Sequence, residues 1–244
     1  MLQAGCLEGV DEVYGMHNAP GIEVGKFAVR EGPFLAAFDI FEITVTGMGT
    51  HAAMPDRGID PMIPVAQIIS GLQAIPSRET SPLNAAVVSV TQVHGGDTWN
   101  VIPDTVVLRG TCRWFDKEVR DLLEPAMKRI ADGIAAAHRC SAELRYERRY
   151  PATVNTPEHT GFAASVAENL VGAGNVDRDF QPDMGSEDFA FMLEEKPGCY
   201  ILIGNGPEEG GCLLHNPHYD FNDEVLPLGA SYWARLAESA LSKS

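Results

Sequence analysis

The chain alternates between short apolar runs broken by turns and longer stretches with helical spacing. Residues 10–36 read as short strands: Val10 to Met16, then the turn-forming His17-Asn18-Ala19-Pro20-Gly21, then Gly25 to Arg30. Phe41-Glu42-Ile43-Thr44-Val45-Thr46 alternates apolar and polar residues and is rich in β-branched side chains, which suits a half-buried strand. Gly47 to Pro55 follows as a loop, and residues 60–75 have helical apolar spacing, with Asp60 placed to cap and Pro61 in the first turn. Ala85 to Val93 and Thr105 to Arg113 read as strands. Asp116 to His138 predicts a long amphipathic helix with Val119, Leu122, Leu123, Met127, Ile130 and Ile134 on its apolar stripe. Ala142 to Tyr150 closes the series as a strand.

Strand–helix–strand–strand–helix–strand is the order of a ferredoxin-like α+β unit. A sheet covered by two helices carries its own core, so residues 40–152 are expected to form a separate domain. The flanking segments, 1–39 and 153–244, then belong together as a domain of α/β material. The later segment reads as a helix from Glu158 to Val171, a short helix ending at Leu193, a strand from Cys199 to Ile203 and a helix from Leu226 to Leu241.

An apolar fraction of 45% and a charged fraction of 21% over 244 residues leave room for one large core or two small ones. The net charge of -16 argues against nucleic acid and against an anionic membrane surface, both of which call for concentrated basic residues. It does not exclude a small anionic substrate held by a few local cations. The five cysteines, at 6, 112, 140, 199 and 212, are scattered and odd in number, so a reduced cytoplasmic setting is expected rather than a disulfide framework. No run reaches the length of a transmembrane helix.

Candidate chemistry concentrates in Cys212-Leu213-Leu214-His215-Asn216-Pro217-His218-Tyr219-Asp220-Phe221-Asn222-Asp223. His215 follows two leucines, where a short buried strand gives way to loop. Imidazole is a common metal ligand, yet His215 and Asp220 would equally serve to hydrogen-bond a turn. His17 shares the strand-to-loop setting, and two such histidines point to a metal site more firmly than either alone. Glu187 and Asp188 open a short helix, where they either cap it or line a pocket. His94 reads as a turn residue, and His138 and His159 as solvated or capping groups near helix ends.

Six segments together resemble the aminoacylase/carboxypeptidase-type metallopeptidases. They are Gly15-Met16-His17-Asn18-Ala19-Pro20-Gly21, Gly49-Thr50-His51-Ala52-Ala53-Met54-Pro55, Asn100-Val101-Ile102-Pro103, Gly110-Thr111-Cys112-Arg113, Gly185-Ser186-Glu187-Asp188-Phe189 and Leu214 to Asp223. Within that superfamily they are most similar to the amidohydrolase branch of hippurate hydrolase and the auxin–amino-acid-conjugate hydrolases. The resemblance implies an α/β zinc-peptidase-like catalytic domain interrupted by a ferredoxin-like lid that forms a homodimer. It implies two divalent metals (zinc, manganese or cobalt) bridging a water, with a glutamate as general base, acting on the amide of an N-acyl amino acid. His17 and His215 match metal ligands, and His51 matches a lid histidine that stabilises the oxyanion in the partner subunit's site. Asn100 and Arg113 match lid positions that hold substrate, Arg113 offering a planar fork to a carboxylate.

The match also departs from the family. Such enzymes carry a Gly-Cys-Gly-His-Asp-Gly-His segment and a Glu-Glu pair that supply further ligands and the base, and neither is present. The resemblance places both upstream of Met1, so the N-terminal third is expected to be absent and this chain alone inactive. The alternative is a non-catalytic dimerisation or binding module. Asp56 stands where the branch often has a second histidine, so the lid's contacts there are expected to differ.

Overall fold

In a computed structural model, the described residues are 1–206 and 213–241. The strands in chain order begin with β1 (Val13–Pro20), β2 (Phe27–Ala28), β3 (Gly32–Leu35), β4 (Ala37–Thr46) and β5 (Thr50–His51). They continue with β6 (Ala86–His94), β7 (Val101–Ile102), β8 (Thr105–Trp114) and β9 (Ser141–Tyr150), then β10 (Thr153–Asn155), β11 (Val176–Asp177) and β12 (Gly198–Gly206). The α-helices are α1 (Met62–Leu72), α2 (Lys117–Ala137), α3 (Pro157–Val171), α4 (Ala190–Glu195) and α5 (Leu226–Leu241). They fall into two compact units.

The first unit comprises Met1–Leu35, Thr153–Asp183 and Glu187–Ser244. Its sheet has the order β1-β12-β2-β11, with β1 and β12 parallel and β2 antiparallel to β12. β12 is buried almost throughout, which is why it reads as a continuous apolar run rather than an alternating one. Phe27, Ile201 and Ile203 pack with Ala163, Ala164 and Ala167 of α3 and with Tyr232 and Leu236 of α5. The three alanines let α3 lie close against the sheet, and each large side chain buried there contributes about 1.5–3 kcal/mol. The strand expected from Val10 to Met16 instead runs from Val13 to Pro20, so His17 lies within β1 rather than at its end. The parallel partner carries pairing on through Asn18 and Ala19, and Pro20 is tolerated because β1 is an edge strand. The expected strand from Gly25 to Arg30 narrows to the two residues of β2.

The second unit comprises Ala36–Ala152 with Met184–Ser186. Its sheet has the order β6-β8-β4-β9 with every neighbour antiparallel. β4 alternates buried and half-buried residues over its length, and Phe41, Ile43 and Val45 face Val65, Ile68 and Leu72 of α1 and Val119, Leu123 and Met127 of α2. α1 begins two residues after Asp60, whose carboxylate still accepts the Met62 N–H at 2.8 Å, so the capping chemistry is present with Pro61 at the cap position. Asp39 is fully buried in this core. Its carboxylate accepts from Trp114 Nε1 at 2.7 Å and Tyr146 Oη at 2.8 Å. Part of the expected 47–55 loop pairs with Val101–Ile102 as the two-residue strand β5. Among the described residues, no helix is long and apolar enough to cross a membrane.

Candidate functional site

The first unit gathers its chemistry on one face of β1. Side chains alternate along a strand, so Met16 packs with the α3/α5 core while Gly15 and His17 face the other way. A Cβ on Gly15 would stand 2.7 Å from the Tyr200 ring and 3.1 Å from Phe189, so only glycine admits these rings. Tyr200 donates its hydroxyl to Glu187 Oε2 at 2.5 Å. Glu187 also accepts the backbone N–H of Asp188 at 2.9 Å through Oε1. Burial pushes the Glu187 carboxyl up, but the hydrogen bonds from Tyr200 and Asp188, helped by nearby His17, hold it below the ordinary carboxylate range. The hydrogen bond to Glu187, with burial, raises Asp188. Burial and the Glu187 carboxylate raise the Tyr200 phenol, which keeps its proton. Neither acidic side chain caps α4, whose first turn is preceded by Phe189.

His17 has one ring nitrogen committed. Its Nδ1 lies 2.7 Å from the Asn18 carbonyl oxygen, which can only accept, so Nδ1 carries the proton and the neutral ring keeps a lone pair on Nε2. A backbone carbonyl fixing the tautomer in this way is the usual support of a metal-ligating histidine.

Asn18 donates to Tyr219 Oη, and Asn205 at the end of β12 accepts the Asn222 N–H at 3.2 Å. The loop that carries His215 is therefore tied to the C-terminal ends of two parallel strands, where α/β sheets place their ligands. His215 is exposed and adopts a φ of 68°, in the left-handed region that a side chain rarely enters. A turn closed by Asn216 N–H to Leu213 O at 3.2 Å holds it there. His218 is also exposed, with its N–H on Asn216 Oδ1 at 2.9 Å. The start of this loop at Cys212 lies outside the described residues, and Leu213 and Leu214, expected to end a short buried strand, lie in loop and turn with Leu213 exposed.

His17 thus fits the donor chemistry of a divalent metal. Among the described residues, no three His, Cys, Asp or Glu side chains converge to hold an ion. Structural and catalytic zinc sites take three or four protein ligands.

The second unit positions the other three candidates. His51 pairs with Val101 across β5 and β7, and Ala52 N–H donates to the Asn100 carbonyl at 2.9 Å, bringing His51 and Asn100 into one corner. His51 Nδ1 accepts the Ala53 N–H at 3.1 Å, so the neutral ring carries its proton on Nε2. The exposed imidazole lines a broad cavity of about 810 Å³ with His94 and Asp104. His94 ends β6 and bonds Gln92 at 3.0 Å rather than sitting in a turn. Arg113 lies on β8 with its guanidinium 4.4 Å above the Phe38 ring, and its Nη1 donates to Ser186 Oγ. Burial draws Arg113 below its ordinary value, opposed by Asp39.

Tyr200, Asn18 and Tyr219 escaped the sequence reading. The Tyr200 hydroxyl is hidden in an apolar strand run, and only the unusual Gly15 on the facing strand hints that a ring must fit there. His159, expected to be a solvated or capping group, is instead half-buried with Nε2 3.2 Å from Glu12.

Comparison with known proteins sets these residues in a family. The family described as Peptidase family M20/M25/M40 matches residues 1–239. N-acetylcysteine deacetylase of Bacillus subtilis is 42% identical over 238 residues, covering 97% of this chain and 61% of that protein. Hippurate hydrolase of Campylobacter jejuni is 36% identical over 239 residues, covering 97% and 62%. The crystal structure of Bacillus subtilis YXEP, a dinuclear metal-binding peptidase of the M20 family, superposes with a TM-score of 0.82 at 36% identity, covering 100% of this chain and 61% of that one. The chain spans about three-fifths of the length of these relatives. With a match over nearly its whole length and a mixed α/β fold in common, this chain belongs to the M20/M25/M40 peptidase family.

Proposed function

We propose that these residues are part of a metal-dependent amidohydrolase that cleaves the amide of an N-acyl amino acid or a related conjugate. The observation that carries the reading is a pair of imidazoles with opposite tautomers. His17 keeps an Nε2 lone pair, as a metal ligand must, and His51 keeps an Nε2 proton, as an oxyanion donor must. His215 is the second ligand, and the metals are divalent ions of the zinc, manganese or cobalt class. A bound ion of this kind polarises the scissile carbonyl and acidifies water when present. Asn100 and Arg113 hold the substrate, the guanidinium through its planar fork. Residues 1–39 and 153–244 are the catalytic domain's share, and 40–152 form a ferredoxin-like lid. Two lids pair in a homodimer, and the setting is cytoplasmic.

The same reading holds that the 244 residues alone do not turn over substrate; supporting it, the sequence has no Gly-Cys-Gly-His-Asp-Gly-His segment, and among the described residues no three candidate ligands converge. The test compares these residues with the product of the open reading frame that contains them, each supplied with zinc, manganese or cobalt. N-acetylcysteine and hippurate are the substrates. Turnover by the frame's product, lost in His17→Ala, and none by the 244 residues is expected. Steady hydrolysis by the 244 residues overturns the incomplete-site reading, and inactivity of the frame's product on every N-acyl amino acid tried overturns the function.

A further inference from the structure

The second unit packs both helices on one face of its sheet, and Phe38, Ile40 and Glu42 of β4 point to the other. On that other face Glu42 of the central strand β4 is flanked by Arg109 on β8 and Arg145 on β9, all three in one cross-strand row. In this structure the Glu42 carboxylate pairs with one of the two guanidiniums. Glu42 Oε2 takes Arg109 Nε at 2.6 Å, and Arg145 has no hydrogen bond or ion pair among the described residues. Arg149, further along β9, is 3.1 Å from Glu147. Around the cavity formed there, three cations, Arg109, Arg145 and Arg149, meet two carboxylates, Glu42 and Glu147, in a chain whose net charge is -16.

These groups rim a cavity of about 520 Å³ lined also by Ile40 and by Phe38, whose ring lies 4.4 Å under the Arg113 guanidinium. That volume lies within the range of small-molecule sites, about 300–1,000 Å³. An unpaired guanidinium fork beside a half-buried apolar floor recognises a planar carboxylate joined to an apolar body. We propose that this face binds an aromatic carboxylate, with Arg145 on the carboxylate and Ile40 under the ring. The site lies wholly on the β6-β8-β4-β9 sheet and does not depend on the function proposed above.

Isothermal titration calorimetry of the 244-residue chain with benzoate, acetate and inorganic phosphate tests it. Saturable benzoate binding is expected, with acetate and phosphate weaker by about tenfold or more. Arg145→Ala should weaken benzoate by about tenfold, Arg145→Lys by less because it keeps the charge without the fork, and Lys128→Ala, on α2 and outside the cavity lining, hardly at all. Circular dichroism of each variant confirms that the fold is retained. No saturable benzoate binding, or phosphate binding as tightly as benzoate, overturns the proposal. So does retention in Arg145→Ala, or equal loss in Lys128→Ala.

Discussion

Buried carboxylates are tolerated only where donors replace the lost water, and Asp39 shows what that requires in this chain. Its oxygens take the Trp114 indole N–H and the Tyr146 hydroxyl, with the Arg149 backbone N–H at 3.3 Å. Removing the acceptor leaves those donors buried and unanswered. Asp39→Ala should therefore cost about 1–3 kcal/mol for each buried donor left unsatisfied. Asp39→Asn keeps one acceptor oxygen but turns an NH₂ toward a donor, and should cost about 1–3 kcal/mol. Urea denaturation of the two variants against the wild type checks both, and an Asp39→Ala midpoint equal to wild type would mean the network carries no stability. None of this was legible in the sequence, because Asp39 precedes the clean alternation that begins at Phe41, and its side-chain partners lie 75 and 107 residues away. His17, His51 and Arg113 were legible as residue types in motifs. Their tautomers and stacking were not, since these depend on which backbone group or ring folds beside them.

At the scale of elements, long periodic stretches were readable and short paired ones were not. α5 occupies Leu226–Leu241 as its spacing predicts, and α2 lies within one residue of the predicted span at each end, because many turns of amphipathic pattern specify a helix from within. β2, β5, β7 and β11 are two residues each, and only the partner strand makes them strands. β1 is the instructive case: its register comes from β12, and that register sets Gly15 opposite Tyr200. The close fit makes a prediction. Gly15→Ala puts a methyl 2.7 Å from the Tyr200 ring and should cost about 1–3 kcal/mol as overpacking, with Gly15→Val worse. Thermal unfolding measures the cost. If Gly15→Val melts at the wild-type temperature, the ring moves aside freely and Tyr200 is not holding Glu187 in place.

For the whole molecule, the order of elements between residues 40 and 152 could be read from the sequence, but not which strand edge would be free. The structure leaves β6 and β9 as the edges of that sheet. An unpaired edge invites another chain unless charge defends it. β9 carries Glu143, Arg145, Glu147, Arg148 and Arg149, and a second copy laid against it would confront a dense row of charges. β6 reads Ala86-Val87-Val88-Ser89-Val90-Thr91-Gln92-Val93-His94, without a carboxylate, lysine or arginine, and Val93 is 51% exposed. Ile63 on α1 is 53% exposed. If the proposed homodimer forms, β6 is the edge that pairs, and two-fold symmetry sets each changed residue against its own copy's patch. Val93→Lys with Ile63→Lys should therefore drive the dimer to monomer, whereas the same pair of charges on β9, at Ser141 and Glu143, should leave it intact. Sedimentation velocity across a concentration series reads the outcome. A strictly monomeric wild type, or a dimer that survives the β6 charges and yields to those on β9, would rule out β6 as the interface.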